Sequence, residues 1–348
     1  MTTRTQSVPI WPVWIFSLVL LLLFRHQVSG ALIGGIEQCT QVLIPSLFPF
    51  FIVSNLLLAT DFPEKLARLL RHPMEKTFHL NPNGSAAVVI GFLGGYPIGA
   101  KTAAQLYQHG KLTLYDTKQL LCLCNNTGPA IFFGLIGGAL FPDFLTPLVC
   151  YLIHIASALL TAFLLRPQNP PQRLQAGLEP AQSSTSLPQA VTAAFQSTGF
   201  ICAFVLAFSI LIGILQTLLS VCFPAISERS VPFCILTGLL DLPNAIQSLT
   251  ALSNPRLQFI LANAFVNWGG LCIHLQTRAV LQDMPVLLRN HRRAKLLQCI
   301  LATLLSSALV CFRSGQILPI LLLFFLLLVI FVGKNKFSCS KTVKKALY

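Results

Sequence analysis

The chain has 348 residues, 54% of them hydrophobic and only 10% charged, with a formal net charge of +14. A soluble domain carries about 25% charged residues, so this composition excludes a soluble globular fold. The apolar runs are continuous, as in Ile317–Val332, which excludes a membrane barrel built from short alternating strands. The remaining class is an all-α polytopic membrane protein, with the lipid bilayer as its first partner.

The apolar runs long enough to span fall in order along the chain. Span 1 covers about Ile10–Phe24; Ser29–Ala31 beyond it would suit a signal-peptide cleavage site, but Arg25 and His26 close the run and more spans follow, so it is read as an uncleaved span. Span 2 covers about Glu37–Thr60 and holds Pro45 and Pro49; a polar surface helix is expected within Asp61–Asn83. The broken stretch Gly84–Gly110 comes next, then span 3 at about Lys118–Leu140 and span 4 at about Phe144–Leu165. The Pro/Gln/Ser-rich segment Arg166–Gln189 reads as a disordered cytoplasmic linker. Span 5 covers about Ala190–Val221, a second broken stretch Val231–Leu252, and span 6 about Arg256–Leu281. Spans 7 and 8 cover about Lys295–Phe312 and Ile317–Val332, before a basic tail.

The two broken stretches set the layout. GFLGGYPIGAK (Gly91–Lys101) and GLLDLPNAI (Gly238–Ile246) carry Gly and Pro where an unbroken helix cannot. Irregular backbone survives at membrane depth only when buried in protein or lining a cavity. Both are therefore expected to be re-entrant hairpins. If each returns to the side it enters, eight spans put nineteen Lys and Arg on the cytoplasmic side, Lys295 among them. Only Arg25, Arg229, Arg256 and Arg313 fall outside, with Lys101 left in the first hairpin. This positive-inside split places both termini in the cytoplasm of a multi-pass cell-membrane protein.

Each half then reads span, span, hairpin, and a span interrupted by Asn and Gly, an inverted repeat of three net crossings. The expected division is residues 1–165 for the first repeat, 166–189 for the linker, 190–294 for the second repeat core, 295–333 for two further spans and 334–348 for the tail. Paired interruptions in two halves point to a transporter-type site at the midplane. The candidate residues are Gly94, Gly95, Tyr96, Pro97 and Lys101 in the first hairpin, and Asn125, Asn126, Thr127 and Gly128 in span 3. The second half offers Asp241 and Asn244 in the hairpin, and Asn267, Gly269, Gly270, His274 and Gln276 in span 6. Broken helices expose free N–H and C=O groups that can face a small polar solute or a coupling Na+ or H+. No cofactor is expected, and a homo-oligomer is left open. Cys122 and Cys124 lack a second Cys/His pair, so no metal site is assigned. HExxH, GxSxG and P-loop patterns are missing, so an enzyme is not expected. There is no Arg-rich or stacking-aromatic module for nucleic acid.

IPSLFPFFIVSNLL (Ile44–Leu57), GFLGGYPIGAK, NNTGPAIFFG (Asn125–Gly134), GLLDLPNAI and WGGLCIHLQT (Trp268–Thr277) together resemble the YlbJ-type sporulation integral membrane proteins. That family lies within the nucleoside-recognition, or gate, group. The resemblance implies a part in endospore formation and a hairpin layout shared with concentrative nucleoside transporters. Transport, or a scaffold or sensor role in spore-envelope assembly, are both compatible with it.

Several residues carry two readings. Lys101 either snorkels to the interface or meets an anionic solute or Asp241. Asn125–Thr127 are either solute ligands or interhelical glue. His274 is either a hydrogen-bonded packing residue or a ligand or proton carrier, and His154, with no motif around it, reads as structural.

Overall fold

The computed structural model describes residues 11–166, 186–223, 230–281, 284 and 288–313, and every regular element among them is helical. Span 8, the basic tail, most of the linker and residues 1–10 lie outside the described residues. Four helices are long and apolar enough to cross a membrane: 25–57, 145–165, 187–222 and 288–312. Their outer faces carry exposed large apolar side chains, such as Leu152, Phe195, Val221 and Ile300. In a soluble protein these would form untenable patches; here they meet lipid.

Helix α1 (Trp11–Leu23) turns at Phe24 into α2 (Arg25–Gln38). The stretch from Arg25, expected to begin as a loop, is helix instead. It runs through a wide turn at Cys39–Leu43 into α3 (Ile44–Leu58), giving one unit of 33 residues to Leu57. Pro45 has no N–H for the carbonyl four residues back, so the turn widens and Ile44 N–H reaches Cys39 O instead. Ser46 Oγ closes the gap by donating to Val42 O at 2.5 Å. This unit packs along α10 (Leu187–Cys222) through small residues: a Cβ on Gly213 would sit 2.6 Å from the Ala31 Cβ. At 36 residues, α10 is roughly 54 Å long, well beyond the ~30 Å hydrocarbon core.

Helix α4 (Phe62–Lys76) is the expected surface helix, with exposed i,i+4 pairs Asp61–Lys65 and Arg71–Glu75. Helices α5 (Ser85–Gly94) and α6 (Ile98–Gln108) fold back on one another across Gly95–Pro97. Their outer ends are tied together, because Asn83 Nδ2 donates to Lys111 O at 3.2 Å. Helix α7 (Leu114–Cys124) opens with a capping box between Thr113 and Asp116 and stops at Asn125. A non-helical Asn125–Gly128 leads to a wide turn at Ile131–Ile136 and the short α8 (Gly137–Ala139). Helix α9 (Leu145–Leu165) follows.

Helices α11 (Val231–Leu240) and α12 (Leu242–Leu249) pack together across Asp241. Helices α13 (Pro255–Trp268) and α14 (Gly270–Val280) are one helix broken at Gly269. Helix α15 (Leu288–Arg313) packs against α9 and α13 and closes the core.

Candidate solute site

Glycine is required where the breaks touch. A Cβ at Gly91 or Gly99 would run into the Cys124 carbonyl, so only glycine lets α5, α6 and the end of α7 meet. Gly95 has φ +73°, and its Cβ position lies 2.8 Å from Gly128 N; the turn between α5 and α6 therefore rests on the break that follows α7. Gly270 mirrors this: φ is +72°, and a Cβ there would lie 2.8 Å from Leu240 O and 2.9 Å from Asp241 N. The turn between α11 and α12 thus rests on the break between α13 and α14. The peptide bond between Tyr96 and Pro97 is cis, and Pro97 caps α6.

The two tips border one small cavity of about 40 Å³. Six of the sequence candidates line it: Gly94, Gly95, Tyr96, Gly128, Asp241 and Gln276. The rest of the wall is mainly apolar, from Leu47 and Phe51 of α3, Val205 of α10 and Ile273 of α14. Asp241 caps α12: its Oδ2 accepts from Asn244 N at 3.1 Å and Asn244 Nδ2 at 2.6 Å. Asn244 also donates to Ser209 Oγ of α10 at 3.1 Å. Asp241 Oδ1 and the Tyr96 hydroxyl are buried, with the Cys272 thiol beside the Asp241 carboxyl and the Thr127 hydroxyl beside Tyr96. Gln276 donates to Cys272 Sγ at 3.4 Å.

Behind the Tyr96 ring lies a polar seam that joins the two breaks. Thr127 N–H donates to His154 Nε2 at 3.2 Å, so His154 carries its proton on Nδ1 and donates it to Asn267 Oδ1 at 2.8 Å. Asn267 Oδ1 also accepts from Ser157 Oγ at 2.9 Å and Gln298 Nε2 at 3.0 Å. Thr127 Oγ1 donates to Val266 O at 3.1 Å. Lys295 Nζ donates to Asn126 Oδ1 at 3.1 Å and Gln298 Oε1 at 2.8 Å, and lies 5.2 Å from the centre of the Tyr96 ring. Lys295 is 1% exposed, and no carboxylate pairs with it among the described residues. Asn125 donates to Thr277 Oγ1 at 3.1 Å. Beside it, His274 packs edge-on against Trp268 at 4.5 Å and against His291, with no hydrogen bond at either ring nitrogen.

The structure redistributes the sequence candidates. Asn125, Asn126, Thr127 and Asn267 bond across helices rather than line the cavity, in keeping with the glue reading. His274 is packed but not hydrogen-bonded. Lys101 is exposed on α6 and does not line the cavity. Three residues were missed. His154 has no motif, yet it forms the centre of the seam; its i,i+3 partner Ser157 was the available signal. Lys295, counted above as a cytoplasmic loop charge, is a core residue instead, and Gln298 one turn on shares its face. A Lys at the head of an apolar run reads as an interfacial anchor, which hid it.

Residues 40–163 match the model of the Gate family, described as nucleoside recognition. That range holds all of α3, the first hairpin, the first break and nearly all of α9, and it ends before the second hairpin. The chain is also similar to the sporulation integral membrane protein YlbJ of Bacillus subtilis (strain 168), 29% identical over 109 residues. That alignment covers 31% of this chain and 27% of the length of the relative. No solved structure matches. The resemblance carried by the motifs, to YlbJ-type membrane proteins with a nucleoside-recognition gate domain, is thereby borne out, with the gate match on residues 40–163.

Proposed function

We propose that this membrane protein binds a small solute between two hairpins that enter from opposite faces, in a transporter-like inverted repeat, and that it serves endospore formation. The observation that carries the reading is the shared cavity, to which Gly95–Tyr96 of one tip and Asp241–Leu242 of the other both contribute. The breaks of α7 and α13–α14 lie against those tips, the arrangement expected where half-helix ends face a solute. Eight spans with both termini cytoplasmic remain the preferred topology. With Lys295 moved to the core, eighteen cationic side chains still face the cytoplasm against four outside. A Na+ or H+ gradient would supply the drive.

The part in sporulation is carried over from the name of the B. subtilis relative. The test is uptake of radiolabelled uridine, amino acids, organic amines and small anions into proteoliposomes. Saturable flux of one class, lost in Gln276→Leu and kept in Lys101→Ala, is expected. No flux of any class, or flux indifferent to Gln276→Leu, would overturn the transport reading. A scaffold or sensor role is the second reading, favoured by the seam that bonds the two breaks rigidly together. It predicts that Gln276→Leu still supports heat-resistant spores in the parent organism.

A further inference from the structure

A larger cleft shares no lining residue with the space between the two turns. Its volume is about 620 Å³, against about 40 Å³ between the turns. Small-molecule clefts typically measure roughly 300–1,000 Å³. It is lined by Gln41 and Ser46 of the 25–57 unit, Gly134 and Gly138 beyond the first break, and Gln247 and Thr250 at the end of α12. Gln41 lies in the wide turn Cys39–Leu43 and Gly134 in the wide turn Ile131–Ile136. Wide turns of this kind inside helices recur at functional sites.

Gln41 is exposed, although it stands at the midpoint of the 33-residue unit 25–57, roughly 24 Å along the helix from either end. Gln247 is exposed as well, and neither side-chain amide bonds to another described residue. An amide facing hydrocarbon gives up its water and gains no partner, so a wet cleft is the arrangement these two residues require. Each amide both donates and accepts. The hydroxyls are left to accept, since Thr250 Oγ1 donates to Gln247 O at 2.7 Å and Ser46 Oγ to Val42 O at 2.5 Å. Among the described residues, no charged or aromatic side chain lines the cleft. A carboxylate or an ammonium would enter it without a counter-charge, and no ring is there to stack on a flat base.

We propose that this cleft is a water-filled site for a small uncharged polyol, held between Gln41 and Gln247. Neighbouring hydroxyls of the polyol pair with the N–H and C=O of each amide, and the Ser46 and Thr250 oxygens accept from others. The site lies outside the space between the turns and does not depend on transport through it.

The test uses Gly138→Cys as a reporter, in the full-length protein in lipid nanodiscs with reactive native cysteines replaced by serine. A Cβ at Gly138 meets nothing within 4 Å, so the reporter enters the cleft without a collision. A charged, membrane-impermeant thiosulfonate is expected to modify it. Saturating myo-inositol or sorbitol should slow that reaction about fivefold or more, while sodium gluconate, choline chloride and uridine leave it unchanged. Gln41→Leu and Gln247→Leu should each abolish the protection. No modification by the impermeant reagent, whether or not a lipid-soluble maleimide reacts, would overturn the proposal. So would protection by gluconate, choline or uridine, no protection by either polyol, or protection kept in either leucine variant. If those variants do not fold, the ranking of the five probes on the reporter protein decides it. Polyol protection without flux of any solute keeps this site and sinks transport; flux without polyol protection does the reverse.

Discussion

Asn267→Ala removes the acceptor on which the polar seam converges. Three donors reach Asn267 Oδ1, from His154, Ser157 and Gln298. Ser157 Oγ keeps His154 O at 2.9 Å, and Gln298 Nε2 keeps Asn126 Oδ1 at 3.3 Å. The His154 Nδ1–H alone loses its short partner, leaving only a 3.4 Å approach from Gln298 Nε2. One orphaned buried donor is worth about 1–3 kcal/mol. Two weakened interhelical bonds at about 0.6 kcal/mol each bring the expected destabilisation to about 2–4 kcal/mol. The assay is reversible unfolding in mixed micelles, followed by tryptophan fluorescence, since Trp268 adjoins the site. In a double-mutant cycle with His154→Ala, a coupling of about 1–3 kcal/mol is expected. A loss below about 0.5 kcal/mol, or strict additivity, would refute the reasoning.

Glycine substitutions separate collision from backbone strain. Gly110 has φ +70° with open space around it, so Gly110→Ala should be unfavourable by about 1–2 kcal/mol in the same assay. Gly270→Ala adds the collision with Leu240 O and Asp241 N and should lose a further 1–3 kcal/mol or so; equal effects would deny the close approach. Lys101→Met should lie within about 0.5 kcal/mol of the parent, because that side chain is exposed. Lys295→Ala should lose about 3–5 kcal/mol by emptying a fully buried volume, and Lys295→Met should recover at least half; equal losses would place the effect in the charge instead. Asp143, in the loop before α9, accepts from Thr146 N at 2.7 Å, which holds its carboxyl below the usual range. Its contribution is present above its unfolded value of about 4 and fades as pH falls through the lower folded value. The difference in thermal midpoint between the parent and Asp143→Asn should therefore shrink from pH 6 to pH 3, and a constant difference would deny the cap.

The all-helical class and the places where helices break were legible because Gly, Pro and Asn interrupt otherwise continuous apolar runs. Gly95, Asp241 and Gly269 each mark a break in the structure. The course of residues 25–57 was less legible. Residues 25–36 fall between the first two expected spans, yet Gly35 packs against Ser209 and Leu206 of α10, and tertiary contact overrides propensity. The seam was the hardest part to read. His154, Lys295 and Gln298 lie far from either motif in sequence and become neighbours only because α9 and α15 pack beside both breaks. The local pattern around Lys295 was also that of an interfacial charge, so its burial left no signature.

The central claim is that each hairpin returns to the membrane face it entered from, so that the two tips meet inside. Single cysteines at Asn83→Cys, Gly110→Cys, Ser230→Cys and Ser253→Cys, with reactive native cysteines replaced by serine, test it by labelling with a membrane-impermeant maleimide in sealed vesicles of known orientation. The account predicts labelling of positions 83 and 110 from the cytoplasmic side only, and of positions 230 and 253 from the outer side only. Labelling of the two ends of either hairpin from opposite faces would contradict it.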